Sequence, residues 1–214
     1  MTGSLVRAWA RGAAIRPVPG YAIVPAPSLR HIEEELAREA NHGPASMDVA
    51  FERFEATQPE VAARIQEVLE RPLDETALAL GYFLSIAVWL AFERAFAGRL
   101  GEVSADAWSA TVDALTLEED LRKTDAAEPF ELEGILTREQ PDVRAFVHEH
   151  MEAALETGIP NDDDGCEDDA PPVEVLMDDV QLVYRTILLE TLALSHAVKP
   201  SEGAAEEASP ELLA

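Results

Sequence analysis

Glu39 and His42 stand three residues apart, and His148, His150 and Glu152 are clustered further along the chain. Helical bundles that hold two metal ions combine Glu-x-x-His motifs with further inward-facing Glu residues. A carboxylate-histidine site here would draw on Glu39, His42, Glu93 and His150. The pattern is incomplete, because Glu-x-x-His spacing occurs only once. His148 and Glu152 fall on a polar helix side, and Glu190 plots at the polar edge of its helix. No bound metal or cofactor is expected.

The segment Asn161-Asp162-Asp163-Asp164-Gly165 invites a calcium reading, since an EF-hand loop also places acids before a Gly at its sixth position. Counting Gly165 as that position puts Pro160 at the first and Pro171 at the twelfth, where acidic ligands are needed. What remains is a dense run of charge, Asp162, Asp163, Asp164, Glu167, Asp168 and Asp169, on a Pro-bounded loop over 159–173. Such a loop suits attraction of a basic partner better than a rigid ligand cage. Cys166, the single cysteine, lies inside this run, where negative neighbours disfavour the thiolate a nucleophile needs. One cysteine also excludes intramolecular disulfides and four-thiolate zinc sites, which suits a cytoplasmic address. No Gly-x-Ser-x-Gly, Gly-rich phosphate loop or Ser-x-x-Lys occurs, so an enzyme is the less favoured reading.

Charge narrows the partners further. Over 214 residues, 42 acids oppose 16 Lys and Arg, for a net charge of -26. A field of this sign repels phosphates, so direct nucleic-acid binding is not expected. Residues 1–30 run against the trend: Arg7, Arg11, Arg16 and Arg30 without an acid carry +4 and leave -30 for the remainder. An acid-free head of this kind also has the pattern of an organelle transit peptide.

The elements that would position these groups are helical. Pro17, Pro19, Pro25 and Pro27 make residues 1–27 a peripheral, extended basic arm. A helix is expected from an N-cap at Ser28, with Leu29, Ile32 and Leu36 on one face, and another over 47–55 with Met47, Phe51 and Phe54 inward. Gln58-Pro59 opens a third helix. Asp74 then caps the most apolar stretch, Ala77 to Phe92, which carries no charge and must be a buried helix or a membrane span. Its sixteen residues rise about 24 Å, short of the roughly 30 Å hydrocarbon core, and favour the buried helix without a membrane span.

Ser104 starts a further helix, Thr116 and Glu119 have capping-box spacing for a short one after it, and Gln140-Pro141 opens another. The last helix, about 174–198, runs Leu176, Val180, Val183, Ile187, Thr191 and Leu194 down one face. Beyond it, 199–214 reads as a short disordered acidic tail. The expected fold is therefore all-α: one helical bundle-like domain over 28–198 with two long core helices at 75–97 and 174–198. Gln58-Pro59-Glu60-Val61 and Gln140-Pro141-Asp142-Val143 each open a helix that precedes one of those pillars, the mark of an internal duplication, although capping physics favours Pro plus an acid at helix starts independently. The function these features suggest is a soluble, non-enzymatic interaction protein, such as an adaptor, inhibitor, chaperone-like or immunity-type binder, with a basic protein partner. The alternatives are a carboxylate-histidine metal-binding bundle acting as an enzyme or store, and a structural domain whose acidic surface serves solubility or salt adaptation.

Overall fold

A computed structural model of the chain describes residues 14–40, 45–123, 133–157 and 176–201. Among these, eight α-helices form the all-α fold: α1 (Ala26–Ala40), α2 (Ala45–Thr57), α3 (Pro59–Leu69), α4 (Glu75–Ala95), α5 (Ala105–Lys123), α6 (Glu133–Glu139), α7 (Pro141–Thr157) and α8 (Met177–Ala197). The described residues contain no strand beyond one isolated antiparallel bridge, Leu100 to Val198.

The two pillars are α4 and α8, each of 21 residues, and they run parallel. Asp74 joins their N-termini: its Oδ1 accepts from Ala77 N at 2.8 Å, capping α4, and its Oδ2 accepts from Leu176 N at 3.0 Å. Asp74 N in turn donates to Asp179 Oδ2 at 2.9 Å. Two carboxylates thus offset the partial positive charge of two neighbouring helix starts. At the other end, Gly101 N donates to Ala197 O and Lys199 N to Arg99 O, each at 2.9 Å. Between these ends Gly81 permits close approach. A Cβ there would lie 2.8 Å from Leu69 Cδ2 and 3.2 Å from Val183 Cγ2.

The remaining helices are arranged in two corresponding sets. α1 packs on α4 as α5 packs on α8; α3 packs on α8 as α7 packs on α4; α2 meets α3 as α6 meets α7; and α1 meets α7 as α5 meets α3. The echoed glutamines take part in this exchange. Gln58 Nε2 donates to Gly101 O and its Oε1 accepts from Val103 N, both at 2.9 Å. Gln140 Nε2 donates to Ala22 O at 2.8 Å and its Oε1 accepts from Val24 N at 2.9 Å. Each buried glutamine therefore clasps the extended strap that leads into the first helix of the opposite set. Gln140 Nε2 also donates to Ser195 Oγ at 2.9 Å, tying its strap to α8.

Several local expectations change. Where it is described, the Pro-rich arm is not peripheral: Ile15, Ala22 and Val24 are buried in the core. Glu139 and Asp142 hold it, accepting from Val18 N at 2.7 Å and Ala26 N at 2.9 Å. The Asp142 contact supplies the cap for α1 from another helix, so α1 begins at Ala26 rather than after Ser28, with Pro27 in a first turn that needs no N–H from it. Thr116 and Glu119 do not start a helix but lie within α5. Their spacing places both on one face, where Arg185 Nε donates to Glu119 Oε1 at 2.9 Å and Nη2 to Thr116 Oγ1 at 3.3 Å.

The core centres on the second half of α4. Leu84, Ile86, Ala87, Val88, Trp89, Ala91 and Phe92 are fully enclosed, and Trp89 stacks on Phe54 at 5.2 Å. At 21 residues, α4 would span about 31 Å, and it is the one described helix long and apolar enough to cross a membrane. The length argument against a span therefore fails, and the core assignment rests on its enclosure by other helices. Glu190 contradicts its expected polar edge. It is fully buried on α8, and neither carboxylate oxygen has a hydrogen-bond partner. Burial pushes its carboxyl well above the usual range.

Candidate functional site

The first half of α4 is built differently from the second. Ala77, Leu80, Gly81 and Leu84 are buried along one face, but the opposite face is left partly uncovered: α2 and α3, with 13 and 11 residues, reach only about 20 and 16 Å along it. Leu78 is 40% exposed and Ala79 is exposed beside it. Two open troughs result, one on each flank of this stretch, and they share Glu75 and Ala79.

The first trough lies between α4 and the α2–α3 corner, with a volume of about 490 Å³. Its floor is Phe51, Leu69, Leu78 and Tyr82, and Glu70 and Glu75 stand at its edge. The Phe51 and Tyr82 rings meet at 5.5 Å with planes tilted by 36°. Tyr82 OH donates to Asp48 Oδ1 at 3.1 Å. Its phenol is pushed up to about 12, first by burial and then by the hydrogen bond to Asp48 and the charges of Asp48 and Glu55. The field at this trough is therefore negative, and no Lys or Arg lines it.

The second trough, about 500 Å³, lies between α4 and α7. Phe83, His150 and Ala154 line its far side. His150 packs on Phe146 at 4.3 Å and on Phe83 at 5.0 Å, and its Nδ1 donates to Phe146 O at 2.9 Å. Its Nε2 stands 3.8 Å from Glu33 Oε1. The imidazole is thus engaged as an aromatic wall, with one nitrogen committed to its own helix.

The residues singled out for metal chemistry do not converge where they are described. Glu93 pairs with Arg53, whose guanidinium also lies over the Trp89 ring at 5.4 Å. His150 packs instead at Phe83, ten residues earlier on α4, about 15 Å away along the helix. His42 and the Glu39 side chain lie outside the described residues. Among the described residues, no three His, Cys, Asp or Glu side chains form a cluster that could hold a metal ion.

The acidic run Asp162, Asp163, Asp164, Glu167, Asp168 and Asp169 also lies outside the described residues, as do Cys166 and 202–214. The described residues on either side of the run are nevertheless informative. Ala154 lines the second trough, and Leu176 is bonded to Asp74 at the start of α4. Ala154 and Leu176 thus both lie beside the first half of α4.

Phe51 has the helical spacing of a core residue, and Leu78 and Tyr82 fall within the apolar stretch Ala77 to Phe92, so local pattern alone assigns them to the core. The signal available in the sequence was one of length, a long all-apolar helix preceded by two short ones. Chemically, the troughs offer apolar contact and negative charge. No family model, no curated protein and no solved structure matches this chain.

Proposed function

We propose that this chain is a soluble, cytoplasmic, non-enzymatic interaction protein that binds a basic segment of a partner protein, in the manner of an adaptor, inhibitor, chaperone-like or immunity-type binder. The observation that carries this reading is the exposed apolar surface of α4, lined by Glu70 and Glu75 and by no basic residue. An acidic protein could keep itself soluble with charge alone. An uncovered stretch of Phe, Leu and Tyr in the same place adds a surface whose burial stabilises a complex.

Asp162, Asp163, Asp164, Glu167, Asp168 and Asp169 contribute to recruitment in this reading, through long-range attraction rather than fixed contacts. Exposed charges act mainly on the association rate. The test uses a labelled peptide of about 15 residues, rich in Arg and Leu, and a second with Glu in place of Arg, each titrated at about 0.05 M and about 0.3 M salt. Only the basic peptide is expected to bind, more weakly at high salt. Equal binding of both peptides, or of neither, would overturn the proposal. Changing the six acids to Asn or Gln should slow association and flatten the salt dependence without moving Tm.

A further inference from the structure

Resting on the reading above, we infer that the bound segment is an α-helix laid across the first half of α4, with large apolar side chains at positions i and i+7 and a Lys or Arg at i+3 or i+4. The two troughs lie on opposite flanks of α4 and meet only at Glu75 and Ala79. An α-helix with its side chains is about 10 Å across, so two anchors straddling α4 must be separated by about that distance. Seven residues of helix rise about 10.5 Å and return to nearly the same face, which satisfies both separation and direction. An extended segment covers that distance in about three residues, but its successive side chains then point to opposite faces.

The crest between the troughs sets the middle of the motif. Ala79 is exposed and small, so a partner backbone can approach α4 closely there. Glu75, one turn earlier on the same face, borders both troughs and presents a carboxylate to whatever crosses the crest. A cation at i+3 or i+4 of the crossing helix falls between the two anchors, over this carboxylate. Each trough, at about 490 to 500 Å³, has room for a Leu, Met or Phe side chain. Charge complementarity therefore selects a basic helix from a partner over a second copy of this acidic chain, which would bring a net -26 to a negative surface.

The experiment uses the full chain and helix-favouring peptides of identical composition and charge that differ only in the spacing of two Leu residues, i+4, i+7 or i+11. The i+7 peptide is expected to bind at least about tenfold tighter than the others. Ala79→Gln, an exposed change compatible with a helix, is expected to remove that preference by propping the peptide off the crest while leaving Tm unchanged. Salt-sensitive binding of all three peptides with equal affinity would overturn the i+7 inference and leave the recruitment reading standing. Absence of binding by every peptide would overturn both. A chain that sediments as a dimer and becomes monomeric on Ala79→Gln would identify the occupant as a second copy and overturn the inference.

Discussion

Replacing Glu190 with Met should stabilise the protein, by an amount that grows with pH. The carboxyl is fully buried, both oxygens are unbonded, and burial is the sole cause of its raised titration. In the unfolded chain it titrates near 4.5. At pH 7 the folded protein must either keep an unpaired buried charge or hold the group neutral, and taking up that proton costs about 3 kcal/mol. Leaving the neutral carboxyl without partners costs about a further 1 to 3 kcal/mol. Met has a similar shape and removes both penalties.

The sign follows from the direction of the shift. A carboxyl whose folded titration lies above its unfolded one loses stability as pH rises from about 4.5, until the folded group itself ionises. Denaturant unfolding of wild type and Glu190→Met at several values between pH 5.5 and 7.5, above the sequence pI of 4.3, isolates this residue, because every other titration cancels in the difference. The gap should widen by about 1.4 kcal/mol per pH unit and then level off. A gap independent of pH, or a variant less stable than wild type, would refute the placement of Glu190 in the core.

Gln140→Ala should cost about 2 to 4 kcal/mol in denaturant unfolding, because it strands Val24 N and Ala22 O in the interior and removes one of the two bonds of Ser195 Oγ, which still donates to Thr191 O; an effect below about 0.5 kcal/mol would mean the clasp does not hold the strap. Gly81→Ala gains about 1 kcal/mol of helix propensity but forces a Cβ against Leu69 and the stiff Val183, so a net loss of about 1 kcal/mol in thermal or denaturant unfolding is expected, and net stabilisation would contradict the close α4–α8 contact. Leu84→Asp places a charge at a fully enclosed position and should cost several kcal/mol, read by loss of the cooperative circular dichroism transition; wild-type stability would remove α4 from the core.

Helix positions were largely legible in the chain because they depend on local chemistry. Pro59 and Pro141 in first helical positions, Asp74 as a cap, and the apolar spacing of α8 act through neighbouring residues and need no knowledge of the fold. What a helix buries, however, depends on the lengths and positions of its neighbours. The stretch Ala77 to Phe92 is almost uniformly apolar, yet its first half buries only the face carrying Ala77, Leu80, Gly81 and Leu84, while Leu78 and Ala79 become part of the exposed surface on which the proposed function rests. Glu190 shows the reverse case: a polar residue at the edge of a helical wheel is buried when helices pack around more than one face. The straps and their glutamines were beyond local reading as well, since Gln58 and Gln140 bond to backbone 43 and 118 residues away. The residue types at helix starts determined where helices form; only packing decided that the glutamines exchange straps between the two halves, because a hydrogen bond depends on distance in space and not on separation along the chain.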